Sequence, residues 1–128
     1  MFMILKNKVI IVTGGSGLIG REIIKDITSK GGIAINADIG VSTDLEKRTI
    51  HADITSEESI EAIIKLIYEN FGRIDGLVNN AYPRTTDWGV VFEEMTYSSW
   101  KQNVDMQMNS VFLFIQKLRT LQFLLIFK

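Results

Sequence analysis

The residues best suited to chemistry form one short run, Thr13-Gly14-Gly15-Ser16-Gly17-Leu18-Ile19-Gly20. Glycines this dense permit a tight turn and let backbone come closer to a ligand than any Cβ would allow. The run follows the apolar, β-branched segment Val9–Val12 and leads into Arg21–Ile27, and Ile19, Ile23 and Ile27 recur at helical spacing. A buried strand, a glycine turn and a helix are thus expected. The free N–H groups and positive dipole end of the helix would then face an anion such as a diphosphate. The competing reading is a purely structural glycine turn. Further carboxylates and amides lie where strands should end: Asp38, Asp53, and the pair Asn79-Asn80 before Ala81. Tyr97 and Lys101 stand four apart, a spacing that fits a proton-transferring pair but equally an ordinary surface pair on a helix.

The elements that must hold these groups alternate along the chain. Lys30-Gly31-Gly32 is a helix stop, and Ile33–Asp38 reads as a second strand ending in a carboxylate about twenty residues past the glycine run. A carboxylate there would accept from adenosine ribose hydroxyls and repel a 2′-phosphate, and neither Gly15 nor Ser16 supplies a compensating cation. NAD is therefore favoured over NADP. The alternative for Asp38 is a loop aspartate capping a turn. A polar loop, 40–47, precedes a short third strand at 48–53, which Asp53 closes beside the expected groove with Ile54 next to it. The box Thr55-x-x-Glu58 predicts a helix start at Thr55, and Ile60, Ile63, Ile64, Ile67 and Phe71 give that helix a core face ended by Gly72. A fourth strand is expected within 73–81. Ser98-Ser99 are expected caps for a long helix with Val104, Met108, Val111, Ile115 and Leu118 on one face. Strand–helix alternation throughout implies an α/β fold, a doubly wound parallel sheet in a single domain over residues 1–128.

Bulk composition excludes several classes. With 14 basic and 15 acidic side chains, well mixed, and a net charge of −1, there is no basic stripe for nucleic acid and no polybasic patch for a membrane. The absence of cysteine and the single histidine, His51, leave no thiolate or multi-histidine metal site, so no metal is expected. The amino-terminal segment runs apolar then basic, the reverse of a secretory signal. The Leu- and Phe-rich tail from Val111 to Phe127 is interrupted by Gln116, Lys117, Arg119 and Gln122, too polar for a membrane span. A cytoplasmic location is expected.

Over roughly residues 6 to 117 the chain resembles the amino-terminal part of the short-chain dehydrogenase/reductase family. The resemblance rests on Thr13-Gly14-x-x-Gly17-x-x-Gly20, Asp38, Asp53-Ile54 and Leu77-Val78-Asn79-Asn80-Ala81, with Trp100 and Phe112 further on. It implies a Rossmann-type sheet of order 3-2-1-4, a glycine segment on the cofactor's diphosphate, Asp38 selecting NAD, and Asp53 meeting the adenine. Asn79 and Ala81 would support the central strand and line the ribose side of the groove. The continuation Tyr82-Pro83-Arg84 is similar to oxidoreductases of flagellin and surface-glycan modification. There are departures. The glycine spacing resembles the family's extended branch, whereas Asn-Asn-Ala resembles its classical branch. Tyr82 stands where the classical branch usually has glycine. Gln107 stands, counting from Trp100, where a catalytic asparagine is usual. The serine, tyrosine and lysine of the family's chemistry lie beyond the fourth strand, and this sequence is expected to be truncated before that catalytic half.

Two functions from different classes follow. One is an NAD-dependent oxidoreductase moving hydride to or from a carbonyl or hydroxyl carbon, of which this is the cofactor half. The other is a nucleotide-binding module, or a truncated product, without catalysis of its own. Residues 118–128 read either as the helix running on or as a short apolar strand. An open sheet edge at the fourth strand and the apolar carboxyl-terminal helix imply self-association, as a homo-oligomer or with a completing chain.

Overall fold

A computed structural model of the protein describes residues 3–126, with side chains to residue 121. A four-stranded parallel sheet, β1 (Val9–Thr13), β2 (Ile33–Asp38), β3 (Thr49–His51) and β4 (Gly76–Val78), runs in the order β3-β2-β1-β4. Helix α1 (Leu18–Ser29) crosses from β1 to β2, and α2 (Glu57–Phe71) from β3 to β4. After β4 come a 3₁₀ turn at Phe92–Glu94, helix α3 (Tyr97–Val104), a wide π turn at Asp105–Asn109, and α4 (Ser110–Ile126).

Alternation along the strands gives the sheet two apolar faces. Val9, Ile11, Ile35, Ala37 and Ile50 pack with the α2 stripe Ile60, Ile63, Ile64 and Ile67, and with Phe114 and Leu118 of α4. Val12 and Ala34 pack with Ile27, Ile23 and Ile24 of α1. The sheet is therefore covered on both sides, as a parallel sheet requires. Lys117 reinforces the α2–α4 contact through ion pairs with Glu57 at 2.5 Å and Glu61 at 2.7 Å. No described helix is long and apolar enough to cross a membrane.

Local chemistry corrects several boundaries. Thr55 does not cap α2, because its N–H and hydroxyl both go to Asp53 Oδ1 (2.9 and 2.6 Å); Ser56 caps instead and accepts from Ser59 N–H at 3.2 Å. Thr96, accepting from Ser99 N–H at 3.1 Å, caps α3 in place of Ser98-Ser99. The third strand is shorter than 48–53 because Arg48 takes a positive φ of 57° and breaks its start. The expected face of the last helix is also corrected. Val104, Met108 and Ile115 are exposed; of the expected stripe Leu118 alone is buried, beside Asn103, Ser110 and Phe114. The inward side is partly polar before the π turn, so a search for apolar periodicity selects the wrong stripe. Residues 110–126 continue as helix rather than strand. The contribution of Phe123, Leu124, Leu125, Ile126 and Phe127 to self-association lies outside the described side chains.

Asp75 fastens the fourth strand to the first. Its N–H donates to Val9 C=O, its Oδ2 accepts Val9 N–H at 2.8 Å, and Arg73 grips both carboxylate oxygens at 2.8 and 2.6 Å. The Arg73 hydrogen bonds, and after them the Val9 N–H, hold the Asp75 carboxyl below its ordinary value of 3.8. A folded value below the unfolded one means that the ionised group adds stability above pH 3.8, lost as pH falls through the depressed folded value. Asp75→Asn should therefore flatten the acid limb of stability between about pH 5 and pH 2, measured by urea denaturation.

Candidate functional site

The carboxyl ends of the strands open into a cleft of about 500 Å³. Its floor is the glycine turn. Gly14 has φ +63°, and a Cβ on it would lie 2.9 Å from Ala81 Cα, so the turn is pressed directly against the end of β4. A Cβ on Gly20 would overlap the Gly14 carbonyl oxygen and lie 2.9 Å from Asn80 Nδ2, so α1 starts hard against the turn. Gly17 precedes the helix without a side-chain cap, and the first amide to reach back to it is Arg21 N–H. The N–H groups of Leu18, Ile19 and Gly20 come before that bond, at the positive end of the helix dipole. A helix mouth of this kind is suited to an anion.

Asp38 stands at the side of that mouth. Its Oδ2 accepts Ser16 N–H at 3.0 Å and its Oδ1 accepts Gly40 N–H at 2.8 Å. A carboxylate has about four acceptor sites, so room remains for ribose hydroxyls. Asp53, Ile54, Ala37, Ile39 and Ala52 complete this end of the cleft, and Asn80, Ala81, Tyr82, Pro83 and Arg84 form the other.

Not every residue named from the sequence lines the cleft. Gly14, Gly17, Leu18, Ile19, Asp38, Asp53, Ile54, Asn80 and Ala81 do. Thr13, Gly15, Ser16, Gly20 and Asn79 do not. Thr13 is 0% exposed, and its hydroxyl accepts the N–H groups of Asn80 and Ala81, each at 3.0 Å. Gly15 and Ser16 face the outer side of the turn, where Asn36 Nδ2 donates to Ser16 Oγ at 3.0 Å. Ile19, expected on the core stripe of α1, is 67% exposed at the cleft mouth.

The asparagines divide their work differently from the expectation. Asn80, not Asn79, reaches the glycine turn, donating from Nδ2 to Thr13 C=O at 3.2 Å and Gly14 C=O at 3.0 Å. Neighbours at a strand end point opposite ways, and Asn79 Oδ1 is buried without a hydrogen-bond partner.

Tyr97 and Lys101 form a surface pair at the start of α3. Lys101 Nζ lies 5.0 Å above the Tyr97 ring, and Tyr97 lines a second, aromatic cavity with Trp88, Phe92 and Trp100. Gln107 does not line the cleft either; its Nε2 donates to Pro83 C=O at 3.2 Å. Tyr82 lines the cleft and also meets Trp88 edge-on, with ring centroids 6.0 Å apart. His51 Nδ1 lies 3.2 Å from Val41 C=O on the surface. Among the described residues no group of histidines, cysteines and carboxylates could hold a metal ion. Sequence reasoning missed the polar face of α3 that grips residues 83–87. Its only signal was the four-residue spacing of Ser99, Asn103 and Gln107.

Fold and cleft together define a doubly wound α/β unit of Rossmann type. The family model for short chain dehydrogenases matches residues 8–122, and the chain belongs to that family, whose members bind nicotinamide cofactors. It is 34% identical over 126 residues to post-translational flagellin modification protein A of Campylobacter coli, covering 88% of this chain and 49% of that protein. Ligand-free aldohexose dehydrogenase of Thermoplasma acidophilum superposes with a TM-score of 0.78 at 28% identity, over 94% of this chain and 46% of that one. A short chain dehydrogenase of Leptospira borgpetersenii with bound NAD+ superposes with a TM-score of 0.74 at 29% identity, over 91% and 46%. The chain spans about half the length of the relatives it matches.

Thr13→Val would leave two donors in the buried wall unpaired, at a cost of about 1–3 kcal/mol each. Thr13→Ser should lose only a methyl group's burial, about 1 kcal/mol. Urea denaturation of the two variants checks this.

Proposed function

We propose that the cleft binds NAD in preference to NADP, and that the protein is the cofactor half of an oxidoreductase moving hydride to or from a carbonyl or hydroxyl carbon. The observation that carries the reading is Asp38, whose carboxylate is fixed by two backbone amides beside the helix mouth. Its negative charge would repel a 2′-phosphate, while its remaining lone pairs suit paired hydroxyls. The diphosphate would lie on the N–H groups of Leu18, Ile19 and Gly20, and Asp53, which lines the cleft, would accept from the adenine amino group. When bound, the nicotinamide supplies the hydride acceptor or donor. The chain's own residues bind and orient it. Hydride chemistry as such is the family's, and a panel of small aldehydes and keto-sugars is the screen for a substrate.

Titration calorimetry with NADH and NADPH tests the assignment. NADH should bind at least tenfold more tightly, and Asp38→Asn should narrow that ratio by weakening NADH and relieving NADPH. Equal affinities in the unsubstituted chain would remove the assignment.

Self-association belongs to the same proposal, with a second copy as partner. It is supported by the exposed stripe Val104, Met108, Phe112 and Ile115 and by β4, which among the described strands pairs only with β1. On size-exclusion chromatography the chain should elute above its 14.5 kDa monomer mass, and Phe112→Glu should shift it toward monomer. A cytoplasmic location is proposed on the cysteine-free composition.

A further inference from the structure

Three polar side chains recur every fourth residue along α3 and the π turn: Ser99, Asn103 and Gln107. All three grip the loop that walls the cleft beyond β4. The Ser99 hydroxyl donates to the Asp87 carboxylate, 2.6 Å from Oδ2, and Thr85 Oγ1 donates to its Oδ1 at 2.5 Å. Asn103, 1% exposed, accepts Thr85 N–H at 3.0 Å and donates to Thr85 Oγ1 at 2.7 Å. Gln107 donates to Pro83 C=O. The gripped positions are 83, 85 and 87, and Arg84 lies between the first two. The backbone at Arg84 is thereby held at the cleft, and its guanidinium carbon lies 5.9 Å from the centre of the Tyr82 ring.

The charge around the cleft is what makes this position informative. The lining residues carry two carboxylates, Asp38 and Asp53, and a single cation, Arg84. Among the described residues Arg84 makes no ion pair, whereas Arg73 and Lys117 are both tied to carboxylates. A helix mouth offers about half an elementary charge. That offset is small for an oxyanion entering a cleft lined by two carboxylates. A guanidinium without a carboxylate partner keeps its forked N–H edge for such a group, and phosphate and carboxylate geometry match that fork.

We propose that Arg84 binds an oxyanion, a phosphate or a carboxylate, on a molecule lying in the cleft, and that Ser99, Asn103 and Gln107 are positioning residues that hold it there. This rests on the nucleotide reading above and deepens it. The oxyanion is carried either by the dinucleotide's diphosphate or by the second reactant.

Calorimetry on the full chain separates the two sources, using NADH, adenosine, and inorganic phosphate titrated into the NADH-saturated protein. If the diphosphate is the ligand, Arg84→Gln weakens NADH about tenfold, leaves adenosine within twofold, and Arg84→Lys recovers part of the loss. If the second reactant carries the group, NADH is unaffected, and phosphate binding to the NADH-saturated chain disappears in Arg84→Gln. In either case Ser99→Ala and Gln107→Leu weaken the same charged probe and have no further effect in the Arg84→Gln background. Circular dichroism verifies that each variant is folded. Unchanged binding of both NADH and phosphate in Arg84→Gln overturns the proposal, as does an equal loss of adenosine and NADH. If the unsubstituted chain binds neither NADH nor adenosine, the cleft reading itself fails, a result distinct from failure at Arg84.

Discussion

One buried hydroxyl joins the two halves of the cleft. Thr13 ends β1, and its Oγ1 receives the amides of Asn80 and Ala81 where β4 ends. The Asn80 side chain returns the contact to the Thr13 and Gly14 carbonyls. These bonds lie just past Val12 and Val78, the last pair of the β1–β4 ladder. Without them the glycine turn and the wall at 80–84 would be separate loops. With them, the anion mouth and the far wall move as one body, and Ala81 sits close enough that only glycine fits opposite it at position 14.

The electrostatic design of the cleft follows from that rigidity. The helix mouth is positive but weak, and one flank is negative, so the position of each carboxylate decides what enters. Asp38 is held on both oxygens by backbone amides, Ser16 N–H on one and Gly40 N–H on the other. Asp53 is similarly committed, turning the chain through Thr55 while Ser59 Oγ accepts its N–H. Both carboxylates thus serve as structure and as candidate ligands, a combination that fixes their geometry before any nucleotide arrives.

The amino-terminal half was legible from sequence because its signals agree at every level. A β-branched run, a glycine turn and a stripe of isoleucines each name one element, and β1, α1, β2 and α2 fall where those patterns place them. The 3-2-1-4 order, which came with the family resemblance, also matches. Of the candidate site, the glycine turn, Asp38, Asp53 and the Asn80-Ala81 step were readable, since strand ends are where a parallel sheet collects its ligands. The remainder was hidden for physical reasons. Which of two adjacent asparagines faces the cleft depends on a half-turn of backbone that composition does not encode. Thr55 lost its cap role because its hydroxyl turns back to donate to Asp53, and Ser56 accepts at the helix start instead. The third helix turns a polar stripe inward, and periodicity arguments assume that the inward face is apolar.

The central place of β1 has a consequence for how the chain comes into being. Val9 meets Ile33 across 24 residues, whereas Ile10 meets Gly76 across 66. The entropy of closing the longer loop exceeds that of the shorter by only about 0.9 kcal/mol. The larger difference is in time. At roughly 5–20 residues per second of synthesis, the fourth strand follows the second by about 2–9 seconds. Helix growth and chain collapse take microseconds. All segments of the first βαβ unit, glycine turn included, are therefore synthesised while one flank of its central strand still has bare amides and carbonyls. During that interval the nascent chain offers chaperones, and other nascent chains, a flank that the finished sheet conceals.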